Sequence, residues 1–267
     1  MTTTTEELGL DLPPSLRATR RGAVAILTLD RPQKRNALSD ATILGLERFL
    51  DSLPTDVRAI VLDAAGDHFC AGLDLAEMAE RDTMAGVAHS RMWHRVFDRL
   101  EKGSVPVVSV LKGAVVGGGL ELATSTHIRV AEASTFYALP EGQRGLFVGG
   151  GGSVRVPRLV GVARMADMML TGRRYDAQEG YAIGFSQYVV PDGAGLDRAL
   201  ELAQRIAGNA AQTNFAVLQA LPRIAELGPQ EGLFVESLMA AIAQGTDDAK
   251  GRMSDFLAGR AKKATDD

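Results

Sequence analysis

The sequence is poor in cysteine, with only Cys70 among its 267 residues. A single thiol excludes a disulfide within the chain, which favours a reducing compartment. Cys70 stands between Phe69 and Ala71 with no base beside it in the sequence. A buried, unreactive thiol is therefore favoured over a nucleophile, and we expect this cysteine to belong to the core.

Long apolar runs are also lacking. No stretch of about 18 apolar residues occurs, although a membrane-spanning helix requires one. Residues 1–7 are mostly threonines with two acids, and they have neither the basic start nor the apolar segment of a signal peptide. The sequence therefore predicts a cytoplasmic protein with no membrane partner.

An excess of positive charge is missing as well. The chain has 29 lysines and arginines against 33 aspartates and glutamates, for a net charge of −4. Sequence-independent binding of nucleic acid needs a basic face, so this balance argues against such partners. The four histidines do not have the spacing of known zinc motifs, so we expect no metal site.

Glycine is abundant, but the run at 149–152 matches no common nucleotide-binding motif. No Gly-Lys-Ser/Thr follows it, as a Walker loop would require. It also lacks the G-x-G-x-x-G pattern of dinucleotide-binding folds. Its backbone N–H groups remain suited to holding an anion or a water. We therefore expect no bound cofactor.

What the chain does contain is an alternation of apolar runs and helical patterns. Strand-like runs at 23–29, 57–62 and 105–111 each precede a helical stretch, which predicts an α/β fold with a largely parallel sheet. From about Leu196 onward only helical patterns occur. The predicted divisions are an N-terminal arm (1–16), a core with the active site (17–195) and a helical C-terminal region (196–267).

Three consecutive glycines at 117–119 lie between a predicted strand and a predicted helix. Glycine lets the backbone approach a ligand closely, and a helix N-terminus favours negative charge. Glu121 in the first turn would place a carboxylate beside a site for a developing oxyanion. The same residues also fit a tight connection in which Glu121 only offsets the helix dipole.

A second acid, Glu141, follows Pro140 after the short β-like stretch 135–139. Two carboxylates from different elements can converge on one water and divide the roles of base and acid. In an apolar pocket their pKa values would be driven apart. The alternative is that Glu141 is a solvated turn residue.

Four ordered segments resemble the signatures of the crotonase (enoyl-CoA hydratase/isomerase) family. These segments are 31–38, 69–75, 117–121 and 140–161, and the short stretches 170–173 and 255–257 also fit. The resemblance extends over about residues 20–260. It implies a crotonase-type spiral of repeated ββα units, with a helical C-terminal region that builds homotrimers or hexamers made of two trimers.

The resemblance also assigns roles to individual positions. The backbone N–H groups of Leu73 and Gly118 would form an oxyanion hole, while Glu121 and Glu141 would be the catalytic acids. The N–H of Gly149 would place the catalytic water. The residues that would contact the CoA part of an acyl-CoA thioester are Arg35, Ala37, Ala71, Asp74 and Leu75.

The pair of acids favours hydration among the reactions of the family. An enoyl-CoA isomerase needs one acid/base, whereas both hydratase positions are filled here by Glu121 and Glu141. The sequence leaves open which glutamate is the base. A general hydratase of fatty-acid β-oxidation, an isomerase and an aromatic acyl-CoA hydratase-lyase remain alternatives. So does a non-catalytic RNA-binding member, which the acidic balance and the intact acids disfavour.

A narrower resemblance comes from the overall sequence, including the unusual stretch 149–153. It is similar to family members that act on 3-methylthioacryloyl-CoA in dimethylsulfoniopropionate breakdown. This similarity implies that water adds at the carbon bearing sulfur and that methanethiol is released. Hydrolysis of the thioester would then free CoA and lead to acetaldehyde and carbon dioxide. The segments 148–155 and 126–128 depart from the usual family pattern.

Overall fold

A computed structural model describes residues 4–77 and 82–260 of the chain. The outermost parts of the predicted arm and of the predicted C-terminal region, residues 1–3 and 261–267, lie outside these ranges. The chain forms two compact units, Met1–Ala207 and Gly208–Asp267. None of the helices in the described ranges has both the length and the apolar composition that a bilayer crossing requires.

Most strands of the first unit belong to one large sheet. The strands of the described residues are β1 (Glu6–Glu7), β2 (Leu16–Arg21), β3 (Val24–Leu29), β4 (Ala59–Ala64), β5 (Val107–Leu111), β6 (Ala114–Val116), β7 (Ile128–Glu132), β8 (Phe136–Ala138), β9 (Tyr175–Asp176) and β10 (Tyr188–Val190). In these ranges the large sheet has seven strands, in the order β1-β2-β3-β4-β5-β7-β10. Its β1–β2 and β2–β3 pairs are antiparallel, and its other pairs are parallel. The predicted α/β class and largely parallel sheet are confirmed.

Helices occur in both units. Those of the first unit are α1 (Asp40–Asp51), α2 (Thr83–Glu101), α3 (Gly118–Thr124), α4 (Gly152–Val160), α5 (Val162–Thr171), α6 (Ala177–Ile183) and α7 (Gly195–Ala207). Those of the second unit are α8 (Ala211–Phe215), α9 (Leu221–Ile224), α10 (Pro229–Gln244) and α11 (Asp247–Leu257), with a π-helical turn at Ala216–Ala220. Short 3₁₀ turns occur at Pro32–Lys34, Leu75–Glu77 and Gly142–Arg144.

The repeating unit of the core is a pair of strands followed by a helix. In β5-β6-α3 and again in β7-β8-α4, the first strand joins the large sheet and the second joins a small sheet. Within the described residues that small sheet has the order β6-β8-β9. Cys70 extends the same pattern, because it forms an isolated bridge with Val115 of β6. The spiral of ββα units implied by the resemblance is confirmed.

Side-chain caps define where the helices α1 and α2 begin. The Ser39 hydroxyl accepts the Thr42 N–H at 3.1 Å, and the Asp82 carboxylate accepts the Ala85 N–H at 2.8 Å. Each cap satisfies a donor that the helix cannot pair internally, a contribution of about 1 kcal/mol. Both helices cover apolar positions on the core, including Phe49 of α1.

One division differs from the one predicted from the sequence, and the N-terminal arm is attached to the sheet. The helix α7 buries Ala199 and Leu202 on β4 and β5 of the large sheet, so the first unit ends after Ala207 and not after residue 195. The arm is also tied down, because β1 pairs with β2 and Leu8 packs against the core. Burial of apolar side chains on the large sheet holds α7 in the first unit, whereas strand pairing holds the arm.

The second unit consists of helices throughout its described residues, as predicted. Its helix α10 leaves several large apolar side chains exposed: Leu233, Phe234, Leu238 and Ile242. Contiguous exposed apolar surface of this kind marks sites of association. The expected homotrimer or hexamer stays a prediction.

Candidate active site

A cavity of about 450 Å³ lies in the first unit and contains the predicted site residues Leu73, Gly118, Glu121, Glu141 and Gly149. It lies between the loop that follows Cys70, helix α2, the start of α3 and the segment 140–150. The sequence places these residues far apart, so the tertiary fold brings them to one place. Part of the wall is apolar, as is usual for sites that enclose a small ligand.

Two backbone N–H groups meet at one side of this cavity. A Cβ built on Gly118 would lie 3.4 Å from the Leu73 nitrogen, which shows how close the two peptide groups are. Within the described residues neither the Leu73 nor the Gly118 N–H donates a hydrogen bond to the protein. Because the Gly118 N–H begins α3, it has no partner inside the helix. The pair is therefore free to bind an oxyanion.

Pairing between loops holds these donors in place. The Leu38 N–H donates to the Gly72 carbonyl at 2.8 Å, and the Asp74 N–H donates to the Leu38 carbonyl at 2.9 Å. Gly72 has φ +96°, and a Cβ there would lie 2.8 Å from the Val116 carbonyl oxygen. Glycine is thus required by both conformation and space at the point where the loop approaches α3.

Glu121 projects from the first turn of α3 and is only 4 % exposed. Its Oε1 accepts two backbone hydrogen bonds, from the Gly150 N–H and from the Gly152 N–H, each at 2.8 Å. The glycine run at 149–152 therefore binds a carboxylate of the chain itself. Glu121 thus lies in the same cavity as the Leu73 and Gly118 N–H groups, as the first of the two interpretations expects, and its carboxylate is bound by another loop.

Glu141 enters the same cavity from the end of the small sheet. The Gly117 N–H donates to the Ala138 carbonyl at 3.0 Å, which brings the glycine turn beside the segment leading to Glu141. A Cβ on Gly117, which has φ +54°, would lie 2.5 Å from the Glu141 Oε1. The Oε2 of Glu141 is buried and has no hydrogen-bond partner in the described residues. Glu141 is therefore not a solvated turn residue.

Burial raises the pKa of both carboxyl groups above its ordinary value. For Glu121 desolvation is the largest effect, and the N–H groups of the glycine run and the charge of Arg155 oppose it. For Glu141 desolvation is again the largest effect, and the charge of Glu121 raises the pKa further. Raised carboxyl pKa values in a cleft are typical of acid–base catalysis.

Arg155 holds the glycine run at 149–152 against helix α2. Its side chain is 5 % exposed, and its guanidinium donates to Asp98 at 2.6 Å, to Glu101 at 2.8 Å and to the Gly150 carbonyl at 3.2 Å. It thus connects α2 to the loop that holds Glu121. Arg155 was not among the site residues predicted from the sequence, although an arginine on the apolar side of a helix pattern indicates a buried ion pair.

Of the five residues expected to contact CoA, two line the cavity and three do not. Ala71 and Leu75 line the cavity, and the Ala71 N–H donates to the Arg35 carbonyl at 2.9 Å. The carboxylate of Asp74 is engaged by Arg31 at 2.9 Å, which also lowers its pKa. Arg35 is exposed and Ala37 half-buried on the strip paired with this loop. Contact of all five with CoA stays a prediction.

Other candidate chemistry does not converge on the cavity. Cys70 is fully buried, and burial raises the pKa of its thiol to about 12, which supports the inert role expected for it. In residues 4–77 and 82–260 no group of histidines, cysteines and acids could hold a metal ion.

Comparison with known proteins agrees with this geometry. The family model for enoyl-CoA hydratase/isomerase matches residues 19–264, which is most of the chain. The chain belongs to this enoyl-CoA hydratase/isomerase family.

Individual relatives of the family match over nearly their whole length. A short-chain-enoyl-CoA hydratase of Clostridium acetobutylicum is 32% identical over 241 residues, covering 89% of this chain and 92% of its own. A 2,3-dehydroadipyl-CoA hydratase of Escherichia coli is 33% identical over 244 residues, covering 91% of this chain and 95% of its own. The crystal structure of a candidate enoyl-CoA hydratase from Rhodopseudomonas palustris has a TM-score of 0.91 at 58% identity, covering 93% and 97%. The similarity therefore extends to both the fold and the segments that carry the site.

Two aromatic residues of α2 also belong to this site, although they were not predicted to do so from the sequence. Trp93 packs on Gly118, since a Cβ there would lie 3.0 Å from its ring, and Phe97 lies 3.1 Å from a Cβ on Gly150. The two rings contact each other edge to face, with centroids 5.6 Å apart. They fill the space behind both the oxyanion donors and Glu121. Helical spacing alone indicated only a core role for them.

Replacing Glu141 with glutamine is expected to stabilise the protein increasingly as the pH rises. The raised pKa of Glu141 means that the folded state binds its proton more tightly than the unfolded state does. Its stabilising contribution is therefore present below the ordinary pKa and is lost as the pH rises through the folded-state pKa. Glutamine does not titrate, so the thermal midpoint of Glu141→Gln should rise relative to that of the wild type as the pH is raised above the ordinary glutamate pKa of about 4.3. Calorimetry of both proteins at a series of pH values above this pKa checks it, and a constant difference would contradict it.

Proposed function

We propose that the protein adds water across the double bond of an α,β-unsaturated acyl-CoA thioester. The observation that carries this proposal is the arrangement around one cavity of the buried Glu121, the half-buried Glu141 and two backbone N–H groups that have no protein partner in the described residues. The match to the enoyl-CoA hydratase/isomerase family and the hydratases among its relatives support it.

The N–H groups of Leu73 and Gly118 stabilise the thioester oxygen. Addition of water at the β-carbon places negative charge on this oxygen as the enolate-like transition state forms. Two fixed donors that make no hydrogen bond within the described part of the chain interact with that charge more strongly than with the neutral carbonyl. Each such donor contributes about 3 kcal/mol to the transition state in comparable oxyanion holes.

The hydrogen-bonding of the two glutamates supports a division of their roles. Glu121 accepts two N–H bonds, and these favour its ionised form, so we assign it as the base that removes a proton from water. Glu141 has an unpartnered oxygen and lies in the field of Glu121, which favours its protonated form. We assign it as the acid that supplies the α-proton. The Gly149 N–H is assigned to the attacking water, in keeping with its place in the cavity wall.

The acyl group is the finer part of the proposal. The narrower similarity to enzymes of 3-methylthioacryloyl-CoA makes this thioester one candidate, with methanethiol, CoA, acetaldehyde and carbon dioxide as products. The general alternative is a short-chain enoyl-CoA of fatty-acid oxidation, which agrees with the name of the Clostridium relative. No cofactor is required for either reaction, since CoA is part of the substrate.

A panel of acyl-CoA thioesters tests the function and separates these candidates. Purified protein is expected to hydrate crotonyl-CoA, 3-methylthioacryloyl-CoA or both, which lowers the absorbance of the conjugated thioester. The thioester that is hydrated faster identifies the substrate class. Free thiol and free CoA are followed separately, because their release distinguishes the sulfur-containing substrate. A shifted double bond would instead show an isomerase, and a released aromatic aldehyde a hydratase-lyase. Binding of RNA without turnover of any thioester would overturn the enzymatic proposal.

A further inference from the structure

The glycine run at 149–152 has no side chains of its own to hold it, yet it positions the carboxylate of Glu121. Consecutive glycines have the largest backbone freedom of any sequence. A loop that must aim two N–H groups at one oxygen therefore needs contacts from outside. Its carbonyl oxygens show where those contacts are made.

The peptide group that joins Gly149 to Gly150 is held at both ends. Its N–H, on Gly150, donates to the Glu121 Oε1 at 2.8 Å. Its carbonyl oxygen, on Gly149, accepts the hydroxyl of Ser90 at 2.5 Å. In a trans peptide the C=O and N–H point in opposite directions, so a force on one end rotates the other. Ser90 and Glu121 are thus connected through a single rigid plane.

Ser90 is well placed for this role by its helix. It lies on α2, two turns before Asp98, the residue that contacts Arg155. Arg155 holds the carbonyl of the next peptide, that of Gly150. Helix α2 therefore fixes two successive peptide planes of the run, directly through Ser90 and indirectly through Arg155.

We propose that Ser90 is a positioning residue, whose hydroxyl orients the Gly149–Gly150 peptide so that the Gly150 N–H holds the Glu121 carboxylate in place for catalysis. Ser90 acts through the peptide and is not itself a proton donor or acceptor in the reaction. The bond to the Gly149 carbonyl also polarises the peptide, and this strengthens the N–H as a donor to Glu121. The catalytic part of this inference rests on the proposed function.

The hydroxyl has no competing task as a donor. Its single proton is used by the Gly149 carbonyl, so the His94 Nε2, which lies 3.5 Å from the Ser90 oxygen, can only donate to it. Removal of the hydroxyl would leave the Gly149 carbonyl without this donor at the edge of the cavity. The peptide would then be free to rotate, and the bond from the Gly150 N–H to Glu121 would weaken.

Three variants test the proposal: Ser90→Ala, Ser90→Thr and, as a control on the same helix, Val87→Ala. Val87 is half exposed and is not part of the cavity wall. For the thioester that the wild type hydrates fastest, Ser90→Ala is expected to lower kcat about tenfold with KM within about twofold. Ser90→Thr keeps a hydroxyl and should recover most of the loss, and Val87→Ala should equal the wild type.

A second measurement is independent of turnover. The pKa of Glu121 can be followed by carbon-13 NMR of protein labelled at the glutamate carboxyl carbons, with its resonance assigned from its absence in Glu121→Gln. We expect a higher Glu121 pKa in Ser90→Ala, because the Gly150 N–H then stabilises the ionised carboxylate less. We expect a wild-type pKa in Ser90→Thr, because the threonine hydroxyl restores the bond to the Gly149 carbonyl. An unchanged Glu121 pKa in Ser90→Ala would overturn the proposal even if kcat fell, since a purely structural role would leave it unmoved. If the wild type hydrates no thioester, the proposed function fails while this titration still decides the role of Ser90.

Discussion

Replacement of Glu121 by glutamine is expected to lower kcat by a factor between about 10² and 10⁴, the usual contribution of a positioned acid or base. Glutamine keeps the shape of the side chain, and its Oε1 can still accept the N–H bonds of Gly150 and Gly152. What it loses is the ability to remove a proton from water. The loss should therefore appear in kcat, while KM for the thioester changes little.

The matched variant is Glu141→Gln, which removes the second carboxyl group. We expect a loss of the same order, and the double variant should be only slightly slower than either single one, because the base and the acid act as a unit in one addition. Steady-state kinetics on the best thioester of the panel checks all three proteins. Near-normal kcat in both single variants would exclude these residues as the acid–base pair.

Changing Gly152 to alanine is expected to separate activity from stability. A Cβ at Gly152 would lie 2.9 Å from both the Cγ and the Oε1 of Glu121, closer than real Cβ contacts allow. The carboxyl group must move, and it loses the N–H bonds that hold it. A displacement of about 1 Å at a catalytic group can cost on the order of a hundredfold in rate.

The same change should leave the protein folded. Gly152 begins α4, where alanine is favoured over glycine by up to about 1 kcal/mol. This preference offsets part of the cost of displacing the buried carboxyl group, so we expect a folded variant whose free energy of unfolding falls by at most about 1–3 kcal/mol while kcat falls about a hundredfold. Val154→Ala, at an exposed position of the same helix, is the control and should alter neither quantity strongly. A fully active Gly152→Ala would show that Glu121 does not need the glycine run.

The candidate residues of the site could be predicted from the sequence because each lies in a short segment that resembles a family signature. The order of the four family segments indicated Glu121, Glu141 and the donors Leu73 and Gly118, and the family match confirms the coarse assignment to enoyl-CoA hydratases and isomerases. The alternation of apolar runs and helical periodicity likewise predicted the parallel sheet. Each of these inferences depends on residue types and short spacings, which can be read directly from the sequence.

Other contacts could not be predicted, since they join segments that no spacing relates. Ser90 reads as an ordinary polar position on a helix, and only the packing of α2 shows that its hydroxyl contacts the Gly149 carbonyl. Arg155 reads as a charge in an amphipathic helix, whereas the fold buries it against Asp98 and Glu101. Likewise, the sequence pattern assigned α7 to a separate helical region, whereas the fold packs its apolar face on the large sheet.

By itself, then, the amino-acid sequence determined the α/β class, the family and the kinds of group that could do the chemistry. Only the tertiary structure decided how these groups are held: the closeness of the Leu73 and Gly118 N–H groups, and the capture of Glu121 by the glycine run. The physical reason is that residue type sets the pKa range, charge and hydrogen-bonding capacity of a group. Its burial, its partners and the direction in which it points depend on contacts between distant segments, which are formed when the chain folds.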